Sequence, residues 1–71
     1  MQISKPQLSD VQTLAELENS TFLSDKISKK QFIHNINKQK YFFVAKINNE
    51  LAGYILCFEY KKTIRIHFKQ L

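Results

Sequence analysis

Apolar and polar positions follow a helical period over the first 39 residues and a strand period after that. Gln2–Lys5 reads as a short extended run, which Pro6 ends because proline has no N–H to give a neighbouring strand. Val11, Leu14, Ala15 and Leu17 then recur at helical spacing. Ser9, three residues before Gln12, reads as a capping box that predicts a helix over 10–19, with Asp10 suited to the positive end of its dipole. Ser28 and Gln31 repeat the box, and Ile27 and Phe32 add a hydrophobic staple. This second helix should end near Gln39, with Phe32, Ile33 and Ile36 inward and Lys29, Lys30, Asn37 and Lys38 in water. The connection over 20–27 carries two apolar residues, Phe22 and Leu23, expected to dock on the domain.

Residues 40–47 put Tyr41, Phe43, Ala45 and Ile47 on one face of a strand and Phe42 and Val44 on the other. With both faces apolar, an interior strand covered on both sides is expected. Asn48-Asn49 suits a two-residue hairpin turn, since asparagine tolerates positive φ. Residues 51–60 return as a second two-sided apolar strand, in which Gly53 marks a bulge or a closely approaching backbone. Lys61-Lys62 is a weaker turn. From 63 to 70 the alternation is clean: Ile64, Ile66 and Phe68 share one face, and Thr63, Arg65, His67 and Lys69 the other. The predicted order is β-α-α-β-β-β: an α+β unit with an antiparallel sheet and two helices, one domain or part of one over 1–71.

A unit of 71 residues buries only about 60% of the surface its unfolded chain exposes, so its stability is marginal without help. One cysteine, Cys57, allows no intrachain disulfide, and two histidines far apart in sequence argue against a metal site. No apolar run approaches a membrane span, and the polar start is no signal peptide, which together with the single cysteine predicts a cytoplasmic protein. Net charge is +5, nearly all of it from lysine after residue 25. A basic surface for nucleic acid, coenzyme phosphate or an acidic partner is one reading. Lysine-rich composition is the plainer one, because nucleic-acid readers lean on arginine.

A single glycine rules out a phosphate-cradling loop of the G-x-G-x-x-G or G-x-x-x-x-G-K type within these residues. The six acids and two histidines form no recognisable hydrolytic set. Cys57 is expected to be a packed core thiol, His67 a solvated strand residue and His34 a helix-flank residue. The strand aromatics could suggest a stacking platform for RNA, but the element order is not that of an RNA-recognition motif, so they are expected in the core.

Four stretches, KPQLSDVQTLAELENSTF, SKKQFIHNI, YFFVAKINNELAGYILCF and TIRIH, resemble the N-terminal half of a GCN5-related N-acetyltransferase (GNAT), closest in flavour to the ribosomal-protein-alanine type. The resemblance implies strand 1, helices 1 and 2 and strands 2 to 4 of that fold, and direct acetyl transfer from acetyl-CoA to an amine. It places Glu18 and Phe22 on the acceptor-substrate side, with a surface helix acid and a docking residue as their structural alternatives. It makes Ile66, His67 and Phe68 the nearest equivalents of the strand whose backbone meets the coenzyme arm. It assigns no catalytic residue here. The family's R/Q-x-x-G-x-G/A pyrophosphate loop is absent from the 71 residues, and the tail FKQL departs from the family's small apolar run. The expectation is therefore a truncated member, inactive and not binding acetyl-CoA by itself. The strand at 63–70 would be a free edge open to self-association or a partner chain. A small interaction module pairing through that strand is the alternative, and a nucleic-acid binder the least favoured.

Overall fold

A computed structural model describes residues 1–21 and 26–69, the side chains of Ser20 and Thr21 excepted. Phe22 and Leu23, expected to dock, lie outside the described residues. Four strands form one antiparallel sheet in chain order: β1 (Gln2–Ser4), β2 (Phe42–Ile47), β3 (Glu50–Phe58) and β4 (Thr63–Phe68). Two helices, α1 (Val11–Thr21) and α2 (Lys29–Lys38), complete the α+β unit.

The second helix starts as its sequence predicts. Ser28 Oγ accepts from Gln31 N at 3.2 Å, and Gln31 Oε1 accepts from Ser28 N at 2.8 Å. The first helix does not. A 3-10 turn over Leu8–Asp10 precedes it, and Asp10 Oδ2 accepts from Gln7 N at 2.8 Å. Gln7, not Ser9, is therefore the N-cap. Aspartate wins because its carboxylate also meets Lys46 Nζ at 3.0 Å, tying the helix start to β2.

The core lies between the helices and one face of the sheet. Val11, Leu14, Leu17 and Phe32 pack there on Phe42, Val44, Tyr54 and Leu56. Phe32, Phe42 and Tyr54 meet with ring centroids 5.6–6.1 Å apart. The inward stripe of α2 differs from expectation. Ile33 is exposed and Asn35 is buried in its place. Asn35 holds Gln39 at 3.2 Å, and Gln39 Oε1 accepts from Glu59 N at 3.3 Å, so a polar chain joins the end of α2 to the end of β3.

The interior strands are not covered on both sides. Register puts Phe42, Val44, Tyr54, Leu56, Arg65 and His67 on the helix face, and Ile3, Phe43, Ala45, Gly53, Ile55, Cys57, Ile64, Ile66 and Phe68 on the other. No described element packs over that second face. Cys57 lies there half-buried, not in the core. Nor are all strand aromatics internal: Tyr41, Tyr60 and Phe68 are exposed.

Turn chemistry follows the sequence more closely. Asn48 and Asn49 take φ of 51° and 66°, as a two-residue hairpin with the twist of its strands requires. Lys62 also takes positive φ, 54°, a conformation that costs a side chain with a Cβ. Gly53 meets both of its expected reasons. It sits at the register shift opposite Ala45 and Lys46, and a Cβ on it would fall 2.3 Å from Phe68 Cδ1 and 2.6 Å from the His67 carbonyl oxygen. The Phe68 ring lies across the space that glycine leaves.

Candidate functional site

The last turns of α1 continue the buried stripe of Val11, Leu14 and Ala15 to position 18, and the side chain there is an acid. Glu18 is not a surface helix acid: it is fully buried. Its carboxylate collects donors from three directions. Oε2 accepts from Arg65 Nη2 at 2.8 Å and from Ile27 N at 3.1 Å, and Oε1 accepts from the Tyr54 hydroxyl. His67 Nδ1 is 3.9 Å from Oε1, and the His67 ring stands edge-on to Tyr54. A buried carboxylate is tolerated only with such company.

This cluster explains why β4 packs opposite to its hydropathy. His67, expected in solvent, is 7% exposed, whereas Ile64, Ile66 and Phe68 are 65%, 57% and 52% exposed. The Glu18 charge draws Arg65 under the sheet, and a period of two then turns the three apolar residues outward. Burial pushes the Tyr54 hydroxyl well above the usual tyrosine range, and its bond to Glu18 adds to the effect. Burial pulls the Arg65 guanidinium down, but its bond to Glu18 and the carboxylate charge outweigh that, and the net direction is up. At neutral pH the Glu18 carboxylate is therefore met by a charged guanidinium and a neutral phenol.

Arg65 also forms one wall of a cleft of about 540 Å³, between the start of α2 and the β3–β4 turn. Lys26, Ile27, Gln31, Phe58, Lys61 and Thr63 complete most of its lining. Glu18 thus stands behind the cleft wall rather than in the cleft. It binds Ile27, the last residue of the 20–27 connection, as well as Arg65 of β4, and so ties that residue to the sheet.

Ile66, His67 and Phe68 share the edge strand but differ in what they offer. The Lys69 N–H bonds the Ala52 carbonyl at 2.7 Å, and antiparallel alternation then turns the backbone groups of Ile64, Ile66 and Phe68 to the free edge and those of His67 toward β3. Among the described residues no group of three or more His, Cys, Asp and Glu side chains could hold a metal, and no helix is long and apolar enough to cross a membrane.

Sequence reasoning missed Tyr54, Arg65, Lys26 and Lys61 as neighbours of one site. One signal was available: Arg65 is the single arginine beside ten lysines. Arginine is the cation suited to a buried, multiply bonded carboxylate pair.

No protein-family model matches the sequence. No curated protein matches it significantly. The fold is similar to the crystal structure of smu.2055 from Streptococcus mutans UA159, with a TM-score of 0.75 and 29% sequence identity over 99% of this chain and 54% of that one. The chain thus spans about half the length of that protein.

Proposed function

We propose that these residues form the N-terminal, acceptor-side half of a GCN5-related N-acetyltransferase fold, and that they do not bind acetyl-CoA by themselves. The observation that carries this reading is the strand order β1-β2-β3-β4 with two helices between β1 and β2, the order that the sequence resemblance implies. The fold's likeness to a protein of nearly twice the length agrees with a scaffold to which more chain is added. The single glycine lies under Phe68 in β3, so no glycine is left for a pyrophosphate loop, and a donor site needs residues beyond these. Glu18 then serves the acceptor side indirectly, by holding Arg65 in the cleft wall and Ile27 at the end of the connection.

Two titrations with acetyl-CoA test this. The 71-residue chain should show no saturable binding, and micromolar binding would overturn the second clause of the proposal. A chimera that joins this chain to the portion of smu.2055 outside the matched region should bind acetyl-CoA. A folded chimera that does not would overturn the family reading.

One observation favours a second reading, an interaction module. Among the described residues β4 pairs only with β3, and its outward backbone groups are a template for another strand. Sedimentation across a concentration series checks it. Growth in mass that is lost on Ile66→Pro, which removes an edge N–H, supports strand pairing. A concentration-independent monomer refutes self-association.

A further inference from the structure

We propose that the cleft between the start of α2 and the β3–β4 turn binds an acidic peptide segment. Lys26, Lys61 and Arg65 line it, and no carboxylate does among the described residues. Lysine-rich composition alone does not produce this. A cleft of about 310 Å³ at the other end of β3 mixes Lys46 and Lys69 with Asp10 and Glu50, and there Lys46 is paired with Asp10 at 3.0 Å. In one cleft Lys46 is compensated; in the other Arg65 is paired with Glu18 behind the wall, and the excess comes from Lys26 and Lys61, which no carboxylate among the described residues meets.

The excess of lysine runs against stability at two further points, each next in sequence to a lining residue. Lys29 and Lys30 occupy the first turn of α2, which contains no acid, although the helix dipole disfavours cations there. Lys62 holds a positive φ of 54° that glycine would adopt without strain. Both choices weaken the folded chain, and both add positive charge beside lining residues, Gln31 in one case and Lys61 and Thr63 in the other. An anionic occupant offsets them.

The lining also discriminates among anions. Ile27, Phe58 and Ile64 alternate with the cations, which suits a chain of mixed apolar and acidic side chains better than a bare polyanion. A nucleobase has no open ring to stack on, because Phe58 is partly buried and Lys61 Nζ lies 5.8 Å from its centroid. The cleft volume lies within the usual range of about 300–1,000 Å³ for ligand pockets. The inference rests on the acceptor-side reading only in making this peptide a substrate. As a binding statement it stands apart from acetyl transfer.

The test is fluorescence anisotropy with a labelled heptapeptide of four acidic residues around one leucine, on the 71-residue chain without acetyl-CoA. Saturable binding is expected. Joint Lys26→Gln and Lys61→Gln should weaken it about tenfold, and joint Lys5→Gln and Lys69→Gln, the same change in net charge, by less than about twofold. All four lysines are exposed, so circular dichroism should show both variants folded. The inference is overturned if no saturable binding occurs below millimolar peptide, if both pairs weaken it equally, or if inorganic tripolyphosphate or a single-stranded oligonucleotide binds more tightly than the peptide. Because no coenzyme enters this experiment, its failure leaves the acetyl-CoA titrations untouched, and theirs leaves it untouched.

Discussion

The two faces of this sheet invert the ordinary rule at β4. Under the helices, a buried carboxylate gathers a guanidinium, a phenol, a backbone N–H and a nearby imidazole. On the other face, Ile3, Ile64, Ile66 and Phe68 are each more than half exposed. Apolar burial favours turning β4 over, at roughly 1.5–3 kcal/mol for each fully buried side chain. Register forbids it, since a flip would carry Arg65 and His67 away from Glu18 and leave an unpaired buried charge. Breaking such a pair costs about 3–5 kcal/mol, comparable to the lower end of what burying three apolar side chains would return. One acid in α1 thereby sets which side of a strand 47 residues away faces water.

A graded set of substitutions would break or sharpen this contrast. The largest effect is expected at Glu18→Ala, which removes the carboxylate that Arg65, the Tyr54 hydroxyl and Ile27 N all share. A loss of about 3–5 kcal/mol, enough to unfold a unit of this size, should appear in urea titration followed by circular dichroism.

Gly53→Ala comes next. Its Cβ meets both the Phe68 ring and the His67 carbonyl, so overpacking should cost about 1–3 kcal/mol. Phe68→Ala in the same chain should relieve only part of that, because the carbonyl contact remains. Full relief would show that Phe68 alone requires the glycine.

Lys62→Gly removes the strain at positive φ and should stabilise the fold by about 1 kcal/mol in the same titration. Ile66→Thr on the open face should change stability by less than about 0.5 kcal/mol while raising solubility. A loss near that of Glu18→Ala would mean that the open face carries packing after all.

The polar face also carries a pH signature. Tyr54 is held above its unfolded value, so its contribution is fully present below about pH 10 and is lost as pH rises beyond that, when the unfolded chain ionises first. Wild-type stability should fall in alkali more steeply than that of Tyr54→Phe. Parallel curves would show that the hydroxyl is not buried against Glu18.

The order of elements was legible because local chemistry states it. Ser28 and Gln31 announce α2, Asn48-Asn49 makes the hairpin, and Gly53 marks its own bulge. The direction of β4 was not legible. Alternation defines two faces without saying which is inside, and hydropathy points the wrong way for Ile64, Ile66 and Phe68. The deciding residue could have been found on α1, where Glu18 lies four positions after Leu14 and three after Ala15 on the buried stripe. Its partners lie 36 and 47 residues further on, a distance that no local pattern spans. Asp10 defeated the Ser9 capping box for a similar reason: Lys46 comes from β2.

Thiol labelling at adjacent positions of β4 tests the inversion most directly. In a Cys57→Ala chain, the cysteine of Ile66→Cys should react with a soluble maleimide at nearly the rate of an unfolded peptide. That of His67→Cys should be protected under the helices. Protection at position 66 with free reaction at position 67 would contradict the account.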